Sequence, residues 1–94
     1  MMGLTAAKIS LSHLMRDPAF RREFALDQTT VSIAQQIRDH RKKRGISQSK
    51  LAELCGAKQA VISRIESGDE PPTIRNLCRI ASALNLDVRI TLED

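Results

Sequence analysis

The residues best equipped for chemistry lie between positions 38 and 66, and the chemistry they suit is the binding of anions. Residues 38–65 carry eight basic and two acidic groups, a local net charge of +6, whereas the two flanking segments together carry −2 within a whole-chain charge of +4. Basic groups gathered in this way form the electrostatic footprint of a phosphate-binding surface, and a solvated helix face is the plainer source of the same pattern. Arg38, Lys42, Lys43 and Arg44 sit near a helix C-terminus, where the dipole favours cations without any ligand. That explanation does not reach Lys50, Lys58 and Arg64, which add charge on the neighbouring elements.

Other chemistries find little support. His13 and His40 are isolated, no glycine loop cradles a phosphate, and no serine has a base at a recognisable spacing, so an enzyme is not expected. Cys55 and Cys78 are too few and too far apart for a disulfide framework or a zinc site, and no metal or other cofactor is expected. The 94 residues suit one soluble domain; so small a chain buries only roughly 60% of its unfolded surface, which makes self-association plausible. Residues 1–15 lack the flanks of a secretory signal, and no apolar run reaches the roughly 18 residues of a membrane span, so a cytoplasmic protein with no membrane partner is expected.

The elements that must position these residues are mainly helical. Asp17 followed by Pro18 starts a helix on which Phe20 and Phe24 share a face; whether it stops near the polar residues 27–30 or runs on is left open. Residues 1–16, with Leu4, Ile9, Leu11, Leu14 and Met15, show no single period. Over residues 31–44 the stacking of Ile33, Ala34 and Ile37, with Gly45 as a left-handed stop, predicts a helix. Ser47 caps a short helix carrying Leu51, Ala52, Leu54 and Cys55 and closed by Gly56; a second short helix turns Val61, Ile62 and Ile65 inward and ends by Gly68. After Pro71 and Pro72, Thr73 caps a helix with the stripe Ile74, Leu77, Ile80, Ala81 and Leu84, and Asn85 can adopt the left-handed stop. Leu86, Val88, Ile90 and Leu92 then alternate with polar residues, the pattern of a half-wet strand. With no second strand of comparable quality, it is expected to pair with its copy in a dimer, or else with the N-terminal segment.

Two short helices joined through a glycine and preceded by a longer one fit the helix-turn-helix plan, whose second helix enters the DNA major groove. Spacing adds an internal constraint. Arg41 continues the apolar row of Ile33 and Ile37, and Glu66 lies four residues beyond Ile62 on the inward side of its own helix, where an unpaired carboxylate is costly. The two are expected to form a partly buried ion pair that fixes the first helix against the second short helix.

Ser47-Gln48, Leu51-Ala52, Gly56, Gln59, Ile62-Ser63-Arg64, Ile65-Glu66, Gly68, Pro72 and the stretch from Leu77 to Leu84 resemble the Cro/cI-type (Xre-like) helix-turn-helix family of phage repressors. The flanks, "DPAFRREF" before the domain and "LNLDVRITLED" after it, look like those of HigA-type antitoxins of toxin-antitoxin pairs. The resemblance implies a lambda-repressor-like bundle over residues 31–85 and a helical N-terminal extension over residues 1–30 as a toxin contact, while the alternation adds a C-terminal strand over residues 86–94 for dimerisation. Leu86, Val88, Ile90 and Leu92 form the apolar face of that strand.

By the same resemblance Gln59, Ala60, Ser63 and Arg64 would read bases, the Gln59 amide suiting adenine and the Arg64 guanidinium guanine. Gln48 would by that resemblance contact a phosphate, and the clustering of charge adds Lys42, Lys43, Lys50 and Lys58 as phosphate contacts. The implied function is a homodimeric transcriptional repressor of a palindromic double-stranded DNA operator, the antitoxin of its own operon, with a cognate toxin as second partner. A stand-alone phage-type regulator and a protein-interaction module on the same frame are the competing readings. Lys58 departs from the family pattern, which favours Ser or Thr as the helix cap there, and the strand stands where family members often have a fifth helix.

Overall fold

A computed structural model describes residues 16–94, apart from the side chain of Phe24. Within them the chain forms four helices, α1 (Pro18–Lys43), α2 (Gln48–Cys55), α3 (Gln59–Glu66) and α4 (Ile74–Ala83). Residues 1–15, with their unassigned apolar positions and His13, lie outside this description.

Asp17 caps α1 by accepting from the Ala19 amide, with Pro18 tolerated at the first position because its missing donor would have no partner there. The helix then runs unbroken for 26 residues, about 39 Å at 1.5 Å per residue. The polar stretch at residues 27–30 does not interrupt it. The hydroxyls of Thr29 and Thr30 donate to the carbonyls of Ala25 and Leu26, 2.9 and 2.8 Å away, so both threonines satisfy themselves inside the helix. The boundary expected between residues 30 and 31 therefore falls within one continuous helix.

Ser47 caps α2 by accepting from the Lys50 amide at 3.0 Å, and Gly56 closes it in the left-handed conformation (φ 67°). No atom outside its chain neighbours lies within 4 Å of where a Gly56 Cβ would stand, so conformation rather than space favours glycine. Only Ala57 and Lys58 then separate the turn from α3. Thr73 caps α4 through the Asn76 amide, and Asn85 (φ 57°) takes the expected left-handed turn after it.

α2 packs against α3 and α4, and α1 packs against α3. Their shared core is Ile37, Leu51, Ala52, Ile62, Ile65, Ile80 and Leu84. Ile74, expected in the apolar stripe of α4, is instead largely exposed, as is Leu54 of α2. No described helix is long and apolar enough to cross a membrane.

Residues 86–94 depart from the expected strand: within the described chain they carry no regular element. Leu86 and Val88 are half-buried, but Ile90 is 60% and Leu92 94% exposed. The physical reason is the shortage of partners: a strand is held by a ladder, and no other described segment offers one.

Candidate nucleic-acid interface

The inward sides of α2 and α3 determine where their outward sides can point. On α3, Ile62, Ile65 and Glu66 are buried, leaving Gln59, Ala60, Ser63 and Arg64 exposed on the opposite face. Four residues that could touch a ligand are thus presented together by an eight-residue helix with its back in the core.

Glu66 sets the pose of that helix. It is only 2% exposed, and Arg41 of α1 (11% exposed) grips it with two parallel hydrogen bonds, Nε to Oε2 at 2.7 Å and Nη2 to Oε1 at 2.9 Å. Gln48 Nε2 of α2 donates to the same Oε1 at 3.1 Å, and Arg38 Nη1 donates to the Glu66 carbonyl. Arg41 Nη1 completes the set by donating to the Ile46 carbonyl at 2.9 Å. One buried carboxylate therefore ties α3 to both α1 and α2, in the bidentate geometry that makes arginine–carboxylate pairs strong. The hydrogen bond to Glu66 raises the Arg41 pKa, against a smaller opposing push from burial. No buried side-chain nitrogen or oxygen among the described residues is left without a partner.

Gln48 is placed differently from the implied phosphate contact: it is half-buried, and its amide nitrogen already serves Glu66. Its second N–H and the unpaired amides of the first turn of α2 are what remain for an anion. The other implied phosphate residues are exposed. Lys42 and Lys43 stand in the last turn of α1, and Lys50 lies 3.7 Å from Glu53 in a loose surface pair. Lys58 is the N-cap of α3 and makes no side-chain cap bond, as its substitution for Ser or Thr implies. Among the described residues no ion pair engages Lys42, Lys43 or Lys58.

Two contacts of the exposed face of α3 had no sequence signal. Ser49 Oγ donates to Gln59 Oε1 at 3.0 Å, which orients the Gln59 amide and leaves its NH2 pointing elsewhere. Arg64 Nε donates to Glu70 Oε1 at 2.9 Å, both side chains being about half exposed. Each contact crosses a turn, so neither shows as a helical spacing. An exposed pair such as Arg64–Glu70 is worth only about 0–1 kcal/mol and yields easily to a better partner.

The half-buried Phe20 lies on the first turns of α1; the Phe24 side chain and residues 1–15 of the implied toxin contact are outside the description. The described residues gather no group of three or more His, Cys, Asp or Glu around a common point.

A helix-turn-helix family model matches residues 37–90, which takes in the ion pair, both short helices, α4 and most of the tail. Among curated proteins, the chain is 35% identical over 54 residues to the ImmF control region 10 kDa protein of Bacillus phage phi105, covering 57% of this chain and 60% of that one. It is 38% identical over 50 residues to the HTH-type transcriptional regulator SutR of Escherichia coli K12, covering 53% of this chain and 28% of that one. It is 33% identical over 60 residues to an uncharacterized HTH-type transcriptional regulator of Haemophilus influenzae, covering 64% and 61% respectively. The matches thus span less than two thirds of each relative's own length.

Proposed function

The chain belongs to the helix-turn-helix family, and from that premise we propose that it is a sequence-specific DNA-binding transcriptional repressor acting as a homodimer on a palindromic operator. The observation that carries this reading is the division of α3: one face locked in the core through Glu66, the other exposed with Gln59, Ala60, Ser63 and Arg64. α3 lies in the major groove, where an amide and a guanidinium can each make bidentate contacts with base edges. Lys42, Lys43, Lys50 and Lys58 flank it and meet phosphates. Two copies present their reading helices about 34 to 36 Å apart, one turn of the duplex.

Within that reading the protein is the antitoxin of a toxin-antitoxin pair and represses its own operon. Support comes from the first part of α1, whose side chains from Arg21 to Thr29, Phe24 aside, are all exposed, apolar Leu26 among them. Such an arm suits a protein partner. Co-expression with the product of the adjacent open reading frame tests it: a complex lost on deleting residues 1–30 is expected, and no complex with the full chain would leave a stand-alone regulator.

Titrating a duplex of the operator region at several salt concentrations tests the DNA reading itself. Affinity should fall steeply with salt, and Lys42→Ala should lower the slope of log K against log salt by about 1 if that lysine neutralises a phosphate. A salt-insensitive interaction, or none, would favour the protein-interaction module.

A further inference from the structure

The chain reverses its charge directly after α3. Asp69 and Glu70 stand just beyond residues 38–65, the segment with eight basic and two acidic groups. A carboxylate at the edge of a DNA-binding face repels phosphates, so its presence there calls for a physical account. Glu70 Oε1 accepts from Arg64 Nε at 2.9 Å, with the two side chains 47% and 52% exposed. The loop brings the carboxylate to this place in fixed steps. Gly68 turns the chain at φ 79°, the Asp69 amide donates to the Arg64 carbonyl at 3.1 Å, and Ser67 Oγ donates to the same carbonyl at 3.0 Å. Pro71 then biases the Glu70 backbone towards extended conformations, so little freedom is left to lose.

The contact occupies only one of the N–H groups that a guanidinium carries in its rigid fork. Among the described residues no hydrogen bond engages Arg64 Nη1 or Nη2, so the far end of the fork stays open, and such an end suits the O6 and N7 acceptors of guanine. The two kinds of acceptor on a duplex then differ. A guanine edge is uncharged and can take the open end while Nε stays with Glu70. A phosphate is anionic, and giving it Arg64 means either breaking the pair or setting Glu70 beside a like charge.

We propose that Glu70 is a positioning residue that determines specificity: it holds Arg64 through Nε, presents the Nη pair to a base edge, and denies that guanidinium to the DNA backbone. This rests on the reading of α3 as the base-reading helix and adds to it a residue that touches no base. Glu70 lowers affinity for wrong sequences more than for the right one, and a repulsive group raises discrimination in that way.

The test compares the duplex that the wild-type chain enriches from a random pool with a shuffled duplex of the same length. Glu70→Ala should bind the shuffled duplex more tightly and lower the ratio of the two affinities about fivefold, within the worth of one bidentate base contact. On the shuffled duplex its slope of log K against log salt should steepen by about 1, because Arg64 is released to neutralise a phosphate. Glu70→Gln keeps an acceptor without the charge and should steepen that slope in the same way. Both variants should melt with the wild type, since an exposed pair adds little stability, and Glu70→Gln decides the matter if the alanine chain melts early. In an Arg64→Ala chain, adding Glu70→Ala should leave the ratio unchanged, whereas a general charge effect would persist there.

Glu70 variants that strengthen binding to both duplexes equally, or that act as strongly in the Arg64→Ala chain, overturn this role. Failure of the underlying reading looks different. A wild-type chain that enriches no sequence sinks both, while enrichment that Arg64→Ala relaxes at one position, with Glu70 variants indistinguishable from wild type, sinks this inference alone.

Discussion

Glu66 shows how one residue can carry an architectural decision. Its carboxylate is buried and meets donors from two other helices, so removing one donor leaves a charge without compensation. Arg41→Ala should cost about 3 to 5 kcal/mol in urea unfolding, whereas exchanging both partners for apolar residues of similar volume should be close to neutral. If the single variant is as stable as the parent, the carboxylate is not held as described. The raised Arg41 pKa gives the pair a definite pH behaviour. Stability from the charged guanidinium is fully present below its unfolded value and is lost only as pH rises through the higher folded one, far into the alkaline range.

Cys55 behaves differently, because burial is the main cause of its raised pKa. The folded chain keeps that proton longer than the unfolded chain does, so stability should decline as pH climbs past the ordinary thiol value of about 8.5. Cys55→Ala should flatten the decline. In the native protein, exposed Cys78 should alkylate before Cys55.

This ion pair was legible because each member interrupts an apolar period, and two interruptions on facing helices invite pairing. The Ser49–Gln59 and Arg64–Glu70 contacts were not, since each joins residues across a turn whose path no periodicity encodes. Gln48 was legible only in part for a related reason: its position matches the family's phosphate contact, and its bond to Glu66, on another helix, had no spacing to announce it.

At the scale of elements, caps and turns carried most of the prediction. Ser47, Thr73, Gly56 and Asn85 all perform the roles their chemistry suggests. Gly56→Ala should cost about 1 to 2 kcal/mol, an effect of the left-handed backbone alone, given the open space around it. Lys58→Ser should have the opposite sign, adding about 0.5 to 2 kcal/mol by supplying the cap that α3 lacks. Thermal melts of the two variants check both signs. What the sequence left open at residues 27–30 turned on two threonine hydroxyls, which bond equally well inside a helix or at its end. The tail carries no regular element within the described chain for another reason. Alternation reports which faces a strand would have, but a ladder partner is a property of the surroundings.

For the whole molecule, the decisive feature is the concentration of positive charge around α3 rather than the net charge. Eight of the chain's 15 basic residues lie within positions 38–65, on the same stretch whose inward side builds much of the core. The fold and the cationic surface come from one segment, and the proposal of DNA as partner rests on that combination. The most direct test is selection of duplexes from a random pool by the wild-type chain and by Arg64→Ala. The wild type should enrich a palindrome with half-sites about 10 bp apart, centre to centre. Arg64→Ala should relax one symmetric position at a cost of about 1 to 3 kcal/mol. A wild-type pool that emerges without any shared sequence would contradict the assignment of α3 as a reader of DNA.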